Sequence, residues 1–341
     1  MPSIHVYAWT ALATHIEDGV MAAVIDGTQT TRTWIWRLGD SLHRFFDSDI
    51  FYSFRRSPVT VLAFVITVVF FVAAFAAPIL APFNTNDVAT LNLMDAFKPP
   101  AWIDGGTTEH LLGTDDQGRD VLSAIMFGTQ VSLIVGFMSV LFSVVLGVGL
   151  GLISGYVGGR TDHIIMRIAD VQLSFPAVLV ALLLFGFAKA VLPRGLQDAV
   201  ALYVLIVAIG LSNWVQFART VRGSTMVEKS KEYVQAARVI GRSPIAIMVR
   251  HVLPNVMGPV LVIATISLAL AIITEATLSF LGVGVPPTQP SLGTLIRFGN
   301  NFLFSGEWWM TIFPGLALVI LALAVNLLGD WMRDALNPKL R

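Results

Sequence analysis

Long apolar stretches alternate with polar segments along the chain, and six of them approach the length of a membrane-crossing helix. A bilayer core about 30 Å thick requires roughly 20 apolar residues in a helix. The six stretches are Val59–Ala81, Val131–Ile153, Val171–Ala188, Ala199–Ala218, Val256–Thr274 and Trp308–Gly329. Open strands cannot cross lipid because their backbone polar groups would remain unpaired. The pattern therefore predicts an all-α integral membrane protein with six transmembrane helices.

The overall composition supports this prediction. The chain has 341 residues, of which 55% are apolar and 13% are charged, with a mean hydropathy of +0.74. Soluble domains carry about 25% charged residues, so we expect membrane lipid to surround this chain. The zero net charge gives no indication of a nucleic-acid partner, and the absence of cysteine excludes disulfides and thiolate metal sites.

The distribution of lysine and arginine predicts how the six helices are oriented. Most of the 22 basic residues lie before the first stretch, after the second, in the loop 219–255 or in the C-terminal tail. Cytoplasmic loops carry the excess of positive charge, so we expect both termini in the cytoplasm. Nothing near Met1 is typical of a cleavable signal. We therefore expect a cytoplasmic N-terminal extension, 1–57, before one transmembrane domain, 58–341.

On the opposite side of the membrane we expect the loop 82–130, termed the outer loop, which is long and acidic. It is large enough to form a docking surface, although a solvated connector would have the same composition. Near its end we expect a self-bonded turn in which Arg119 pairs with a nearby acid. The residues of this turn are Gly113, Thr114, Asp115, Gly118, Arg119 and Asp120. A metal site formed by Asp115, Asp116 and Asp120 is disfavoured by the adjacent arginine.

The loop 219–255 is basic and has helix-forming residues on both sides of a glycine. We expect one helix over Val221–Ile240, ended by Gly241 because glycine readily adopts the left-handed cap conformation. Ser243-Pro244 fits the start of a second short helix, which Pro254 should end. Two short apolar and basic helices of this kind fit a groove on a partner protein, or they lie as an amphipathic hairpin on anionic lipid.

Three features inside the predicted spans concern helix packing and charge. Gly147, Gly151 and Gly155 recur at the spacing that lets lipid-embedded helices approach closely, so we expect them to have a packing role. Phe175-Pro176 predicts a kink, since proline removes a helix hydrogen bond. Glu275 lies near the end of its span, and we expect its side chain to reach the membrane interface by snorkelling.

The second half of the basic loop, EYVQAARVIGRSPIAIMVRHVLPN, carries the first resemblance to a known family. It resembles, in order and spacing, the "EAA" loop of importer-type ATP-binding-cassette (ABC) permeases. The matching residues are Ala236, Ala237, Gly241, His251, Leu253 and Pro254. The match departs from the family pattern at Glu232 and Gln235, because the glutamate does not directly precede the alanine pair. The resemblance implies that a cytoplasmic ATPase docks on this loop.

Further segments narrow the resemblance to one type of subunit. They are Leu111–Leu133, Gly151–Asp162, Glu275–Gly284 and Asp334–Arg341. These segments resemble the C-type permease subunit of dipeptide and oligopeptide importers, within the binding-protein-dependent transport inner-membrane component family. The resemblance implies the transmembrane-domain fold of a type I ABC importer, located in a bacterial inner membrane.

The resemblance also implies a set of partners. A second permease subunit, two cytoplasmic ATP-binding subunits and an extracytoplasmic solute-binding protein would complete the importer, with a peptide as its substrate. No GxxxxGK[ST] motif occurs in the chain. We therefore expect ATP and magnesium on the partner ATPases, no cofactor in this chain and no enzymatic activity of its own.

Other functions share part of this pattern. Nickel or glutathione would be substrates of the same importer type. An ion-coupled secondary carrier would need an ion site at the bilayer midplane and an inverted repeat, and neither is evident. A membrane-embedded scaffold would use the basic loop to bind lipid. Polar residues in the spans, such as Asn213, Gln216 and Asn326, line a transport path or bond to neighbouring helices.

Overall fold

A computed structural model describes residues 49–85, 92–286 and 289–335. Most of the predicted N-terminal extension, and all but the first residues of Asp334–Arg341, lie outside these ranges. The chain divides into two compact units, 1–58 and 59–341. In the first unit the described element is helix α1 (Asp49–Arg56), which is basic in its last turn.

All regular elements among the described residues are helical, in agreement with the all-α prediction. After α1 the α-helices are α2 (Pro58–Phe75), α3 (Ala77–Leu80), α4 (Val121–Val157), α5 (Gly159–Leu173), α6 (Ala177–Val191), α7 (Arg194–Glu228), α8 (Glu232–Val239), α9 (Pro244–Ile247), α10 (Leu253–Phe280), α11 (Leu292–Asn300) and α12 (Trp309–Ala335). A π-helical turn, Met248–Val252, joins α9 to α10. Short 3-10 turns occur at Leu93–Asp95 and Leu303–Ser305.

Five helical segments are long and apolar enough to cross a membrane without a break. They are Pro58–Phe75, Val121–Val157, Gly195–Glu228, Pro244–Phe280 and Trp309–Ala335. The sixth candidate is the pair of α5 and α6, which are bent by 97° relative to one another across a short break. The predicted span Val171–Ala188 starts in α5 and ends in α6, so it contains the break between them.

Proline explains the position of this break. The chain after α5 closes two tight turns, in which the amides of Ser174 and Phe175 bond to carbonyls three residues earlier at 3.2 and 3.1 Å. Pro176 has no amide hydrogen to continue the helix, and its ψ of 133° is extended. The predicted kink at Phe175-Pro176 is confirmed, but it is a complete interruption of the helix.

Helices α4 and α7 pack closely because glycine replaces larger residues on one face of α4. A Cβ atom added at Gly151 would lie 2.6 Å from the carbonyl oxygen of Ala218. Additions at Gly147 and Gly155 would meet the backbone of α7 equally closely. The three glycines therefore lie at the contact, where small residues let helix backbones approach in a membrane.

Ion pairs connect α5 to the same part of α7. Arg222 donates to both carboxylate oxygens of Asp162, at 2.5 and 2.7 Å, and the Ser154 hydroxyl donates to Asp162 at 2.5 Å. One helical turn away, Arg219 pairs with Asp170 at 2.5 Å, although both of these side chains are about half exposed. The pair of Arg222 and Asp162 is less exposed. Its bidentate geometry fixes the relative orientation of the two side chains as well as their distance. It therefore orients α5 on α7.

Arg222→Leu is expected to lower the stability of the folded protein. Asp162 would keep its charge in a partly buried place without its cationic partner, which costs about 1–3 kcal/mol. The measurement is thermal unfolding of the purified protein in detergent at neutral pH. Arg219→Leu is the matched control, since an exposed ion pair contributes only about 0–1 kcal/mol. Equal melting temperatures for the two variants would contradict the assigned role of Asp162.

Candidate coupling surface and buried polar sites

Helix α7 continues past the predicted end of its span and stops at Glu228. The expectation of one helix over Val221–Ile240 is wrong, because the chain leaves helical geometry between α7 and α8. In this break Lys231 has extended backbone angles, φ −71° and ψ 151°, which an α-helix does not contain. The segment 219–255 thus begins as the end of a long helix rather than as a loop.

The carboxylate of Glu228 bridges this break. It accepts hydrogen bonds from Lys231 Nζ at 2.6 Å and from the Tyr233 hydroxyl at 2.5 Å. Burial and the bond to this carboxylate raise the pKa of Tyr233 to about 12, so the phenol remains a hydrogen-bond donor at neutral pH. Asn255 of α10 donates to the same hydroxyl at 3.2 Å. The ends of α7, α8 and α10 are therefore linked through one tyrosine.

Gly241 ends α8, as the sequence predicts. Its φ is +79°, a left-handed conformation that glycine adopts without steric cost. The Gly241 amide bonds to the carbonyl of Arg238 at 2.9 Å, and the Arg242 amide bonds to that of Ala237 at 3.1 Å. This pair of bonds is the Schellman motif, which satisfies the last carbonyls of a helix.

The second short helix starts at the predicted place but does not end there. The Ser243 hydroxyl accepts from the Ala246 amide at 3.3 Å, and Pro244 lies in the first turn of α9. The expected end at Pro254 is wrong, because the helix continues through the π-helical turn Met248–Val252 into α10. Pro254 has no amide hydrogen to donate. Because the π-helical turn just before it changes the hydrogen-bond pattern locally, the helix can continue past this proline. Helices α9 and α10 thus form one continuous helical path.

One face of α8 and α9 is fixed to the transmembrane helices. Val234, Ala237 and Ile247 are buried, and they belong to an apolar cluster with Phe217 of α7 and Val256 of α10. A residue that packs in such a cluster cannot move without displacing its neighbours, because protein interiors are close-packed. The two short helices are therefore attached to two spans at once.

Four apolar side chains lie outside this cluster, around the turn between α8 and α9. Val239 is 88% exposed, Ile240 76%, Ile245 70% and Val249 52%. These four residues are termed the apolar ridge. Ile240 is the C-cap of α8 and lies beyond the contact of that helix with the spans.

The residues that carry the resemblance fall on both faces of this segment. Along α8, Glu232 and Ala236 are exposed whereas Ala237 is buried. Leu253-Pro254 forms the first turn of α10. His251 lies in the π-helical turn, and its buried Nδ1 atom has no hydrogen-bond partner among the described residues. Of the alanine pair, Ala237 therefore packs against the spans, whereas Ala236 is accessible to a partner.

On the other side of the bundle, a buried turn precedes α4. Asp115 Oδ1 accepts from the amides of Gln117 and Arg119 at 2.9 and 2.8 Å, and Asp115 Oδ2 accepts from Arg119 Nε at 2.6 Å. Gly113 and Gly118 have φ angles of +81° and +76°, which the tight path of the chain requires. Arg119 therefore has its acidic partner within the turn.

The last residue of this turn caps α4. Asp120 Oδ2 accepts from the amide and the hydroxyl of Ser123 at 2.8 and 2.7 Å, which is the usual side-chain bond at a helix N-terminus. The other carboxylate oxygen faces His110 Nδ1 at 3.3 Å. Because of this cap, α4 begins at Val121 and not at Val131, where the apolar stretch begins.

This turn is also attached to α12. The Trp309 indole donates to the carbonyl of Thr114 at 3.0 Å. Thr114, Asp115 and Asp120 are all buried, and both carboxylates accept hydrogen bonds from the protein itself. Burial raises the pKa of the neighbouring Asp116, which disfavours its charged form. The end of the outer loop is therefore a packed structural element and not a solvated connector.

The expectation that Glu275 reaches the membrane interface is wrong. Its side chain is completely buried and accepts from the hydroxyls of Ser132 in α4 and Ser279 in α10, both at 2.7 Å. The Ser132 hydroxyl in turn accepts from the Leu292 amide at 3.3 Å, at the start of α11. Ser132 is 143 residues away in sequence, so Ser279, one turn after Glu275, is the only local sign of this cluster.

Comparison with known proteins places the chain among membrane transport components. The profile described as "Binding-protein-dependent transport system inner membrane component" matches residues 147–341, and that described as "N-terminal TM domain of oligopeptide transport permease C" matches residues 46–100. The dipeptide transport system permease protein DppC of Haemophilus influenzae is 37% identical over 86% of this chain and 95% of its own length. The oligopeptide transport system permease protein OppC of Bacillus subtilis is 37% identical over 86% of this chain and 90% of its own.

Among solved structures, a chain of the MetNI methionine ABC transporter in inward-facing conformations is 19% identical, with a TM-score of 0.49. That match covers 63% of this chain and 96% of the other. The family profile and the relatives describe binding-protein-dependent transport components, and not ion-coupled carriers or lipid-binding scaffolds. Since the profile matches more than half of the sequence and the relatives match most of it, this multi-pass membrane protein belongs to the binding-protein-dependent transport system inner membrane component family.

Proposed function

We propose that this chain is the permease subunit of an ABC importer that moves peptides across the bacterial inner membrane. Its relatives are named permeases of dipeptide and oligopeptide transport systems, which supports a peptide as substrate. The observation that carries the proposal is the apolar ridge, because it is exposed on a turn that is anchored to two spans. In this proposal the ridge and both termini face the cytoplasm, in line with the distribution of basic residues.

The apolar ridge has the properties of a protein-binding surface. Contiguous exposed apolar groups mark interaction sites in proteins, and the exposed side chains of Arg242 and Arg250 lie next to the ridge in sequence. Beneath the ridge, Val234, Ala237 and Ile247 are buried against the spans. A partner that pulls on the ridge therefore moves transmembrane helices, which a flexible loop would not do.

The proposed transport cycle requires several partner chains. One cytoplasmic ATPase binds the apolar ridge, and another binds the equivalent turn of a second permease subunit. ATP and magnesium bind to the ATPases, and closure of the ATPase pair displaces α8 and α9. Because α9 continues into α10, and the Glu228–Tyr233 bond joins α8 to α7, both spans follow this movement. An extracytoplasmic solute-binding protein delivers the peptide to a path between the two permeases.

Ile240→Asp and Ile245→Asp are expected to weaken ATPase binding strongly without unfolding the chain, because both side chains are exposed. Central residues of an interface contribute about 2 kcal/mol or more, so we expect an affinity at least roughly 30-fold lower for each variant. The measurement uses the two permeases reconstituted in nanodiscs and titrated with the purified ATPase subunit. Peptide-stimulated, vanadate-sensitive ATP hydrolysis should be lost in parallel.

Leu93→Asp is the matched control for these variants. Leu93 is 74% exposed but lies in the outer loop, so its substitution should leave ATPase affinity unchanged. Suppose that the Ile240 and Ile245 variants keep ATPase affinity but lose binding to vesicles of anionic lipid. The turn is then an interfacial hairpin, and the proposed coupling role is wrong. If the complex hydrolyses ATP and imports only nickel or glutathione, the peptide assignment alone is wrong.

A further inference from the structure

A cavity of about 210 Å³ lies beside the first turns of α4. One wall is formed by Phe127, Gln130, Val131 and Ile134, whose spacing places them on a single helix face. Leu202 of α7 and the chain at Gln289-Pro290, just before α11, complete the lining. The cavity is therefore at the end of the bundle that carries the outer loop.

Two side-chain amides line this cavity without a hydrogen-bond partner among residues 92–286 and 289–335. Neither the Gln130 nor the Gln289 side chain makes a hydrogen bond to another described residue. Other glutamines of the helical bundle are bonded, since Gln172 donates to a carbonyl of α7 at 2.6 Å and Gln216 donates to Ser267 at 2.8 Å. None of the residues that line the cavity is charged. Gln130 is partly buried and Gln289 is exposed at the cavity mouth, so both amides are accessible to a ligand that enters the cavity.

The wall that carries Gln289 is held in place on α4. A Cβ atom added at Gly128 would lie 3.3 Å from the carbonyl oxygen of Pro290, so the glycine permits close contact with this segment. The Leu292 amide bonds to the Ser132 hydroxyl, which also donates to the buried Glu275 carboxylate. The two glutamines therefore face a cavity whose walls are positioned by hydrogen bonds in the core.

From this geometry we infer that the cavity is a contact site for the main chain of the transported peptide, an inference that rests on the proposed function. A primary amide offers both hydrogen-bond donors and an acceptor, which complements the N–H and C=O groups of a peptide bond whatever its side chains are. A volume of about 210 Å³ is below the ~300–1,000 Å³ of pockets that enclose a whole ligand. The site therefore holds one part of the peptide.

The test compares Gln130→Leu and Gln289→Leu with the wild type in proteoliposomes that contain all the partner subunits. Two substrates are used: a tripeptide and the same tripeptide N-methylated at its central peptide bond, which removes one main-chain donor. The wild type should import the unmodified tripeptide faster. A single hydrogen bond of this kind changes the ratio of the two rates about two- to tenfold, and we expect each variant to lose that discrimination. Gln117→Leu, an exposed glutamine of the outer loop, is the matched control and should retain it.

The remaining outcomes separate the possible errors. If both variants discriminate as the wild type does, the inferred contact is wrong although the importer function stands. If the variants fail to retain the second permease during purification, the glutamines belong to a subunit interface, and the inferred contact is again wrong. If the wild-type complex imports no peptide while its ATPase is active, the proposed substrate class fails and the inference fails with it.

Discussion

Gly151→Leu is expected to prevent stable packing of α4 on α7 and to leave little folded protein in the membrane. The added Cβ alone would lie 2.6 Å from the Ala218 carbonyl oxygen and 2.9 Å from Val221 Cβ, well inside the ~3.5–4.0 Å of favourable contact. Overpacking costs about 1–3 kcal/mol where side chains can move aside. Here the obstacle is helix backbone, so we expect a loss of at least about 3 kcal/mol.

Gly149→Leu provides the matched control for this prediction. It lies two residues earlier on the same helix, and an added Cβ meets no atom within 4 Å. Both substitutions change helix propensity in the same way, so only the contact with α7 differs. Membrane-inserted yield and the melting temperature of the purified protein should be near the wild-type values for Gly149→Leu and far below them for Gly151→Leu. Similar values for the two variants would show that the α4–α7 contact does not require glycine.

Glu275→Leu is expected to have the second largest effect, by loosening α11 from α4 and α10. The side chain accepts from Ser132 and Ser279, and a buried polar group left without its partner costs about 1–3 kcal/mol. Leucine keeps much of the side-chain volume, so the change mainly removes these acceptors and leaves buried hydroxyls unpaired. Melting temperature should fall, and hydrogen exchange should accelerate in α11, where the Leu292 amide bonds to Ser132.

Glu275→Gln tests whether hydrogen bonding by this side chain is what holds α11. A glutamine side chain has the shape of glutamate, and it can accept from one serine while donating to the other. It should therefore retain most of the protection of α11 that Glu275→Leu loses. If the leucine variant shows wild-type hydrogen exchange in α11, the bonds among Glu275, Ser132 and Ser279 do not hold this helix. Other contacts would then have to position the segment that carries Gln289.

Local chemistry accounts for the features that sequence reasoning placed correctly. A helix in lipid satisfies its own backbone, so the length of an apolar stretch is enough to predict a crossing. Gly241 and Ser243-Pro244 determine one helix end and one helix start, because capping depends on the conformation and side chains of a few adjacent residues. Phe175-Pro176 interrupts a helix for an equally local reason, the missing amide hydrogen of proline.

The errors concern residues whose partners in the folded chain the sequence pattern does not reveal. Glu275 has the sequence position of an acid at the membrane interface. Its burial is explained only by Ser132, which comes close to it in the folded chain. The predicted single helix over Val221–Ile240 overlooked the break at which Glu228 accepts from Lys231 and Tyr233. In each case the deciding contact depends on the side chain of another residue in the folded chain, and propensity is a weak guide where tertiary contacts compete with it.

The sequence by itself determined the helical membrane class, the positions of the caps and the family, because these depend on apolar length, local backbone preference and motif spacing. The tertiary structure alone decided that α9 continues into α10, that the apolar ridge is exposed while Val234 and Ala237 anchor it, and that Gln130 and Gln289 line one cavity. The physical reason is that burial and hydrogen-bond pairing are properties of neighbours in space. Chain order does not specify those neighbours until the helices have packed.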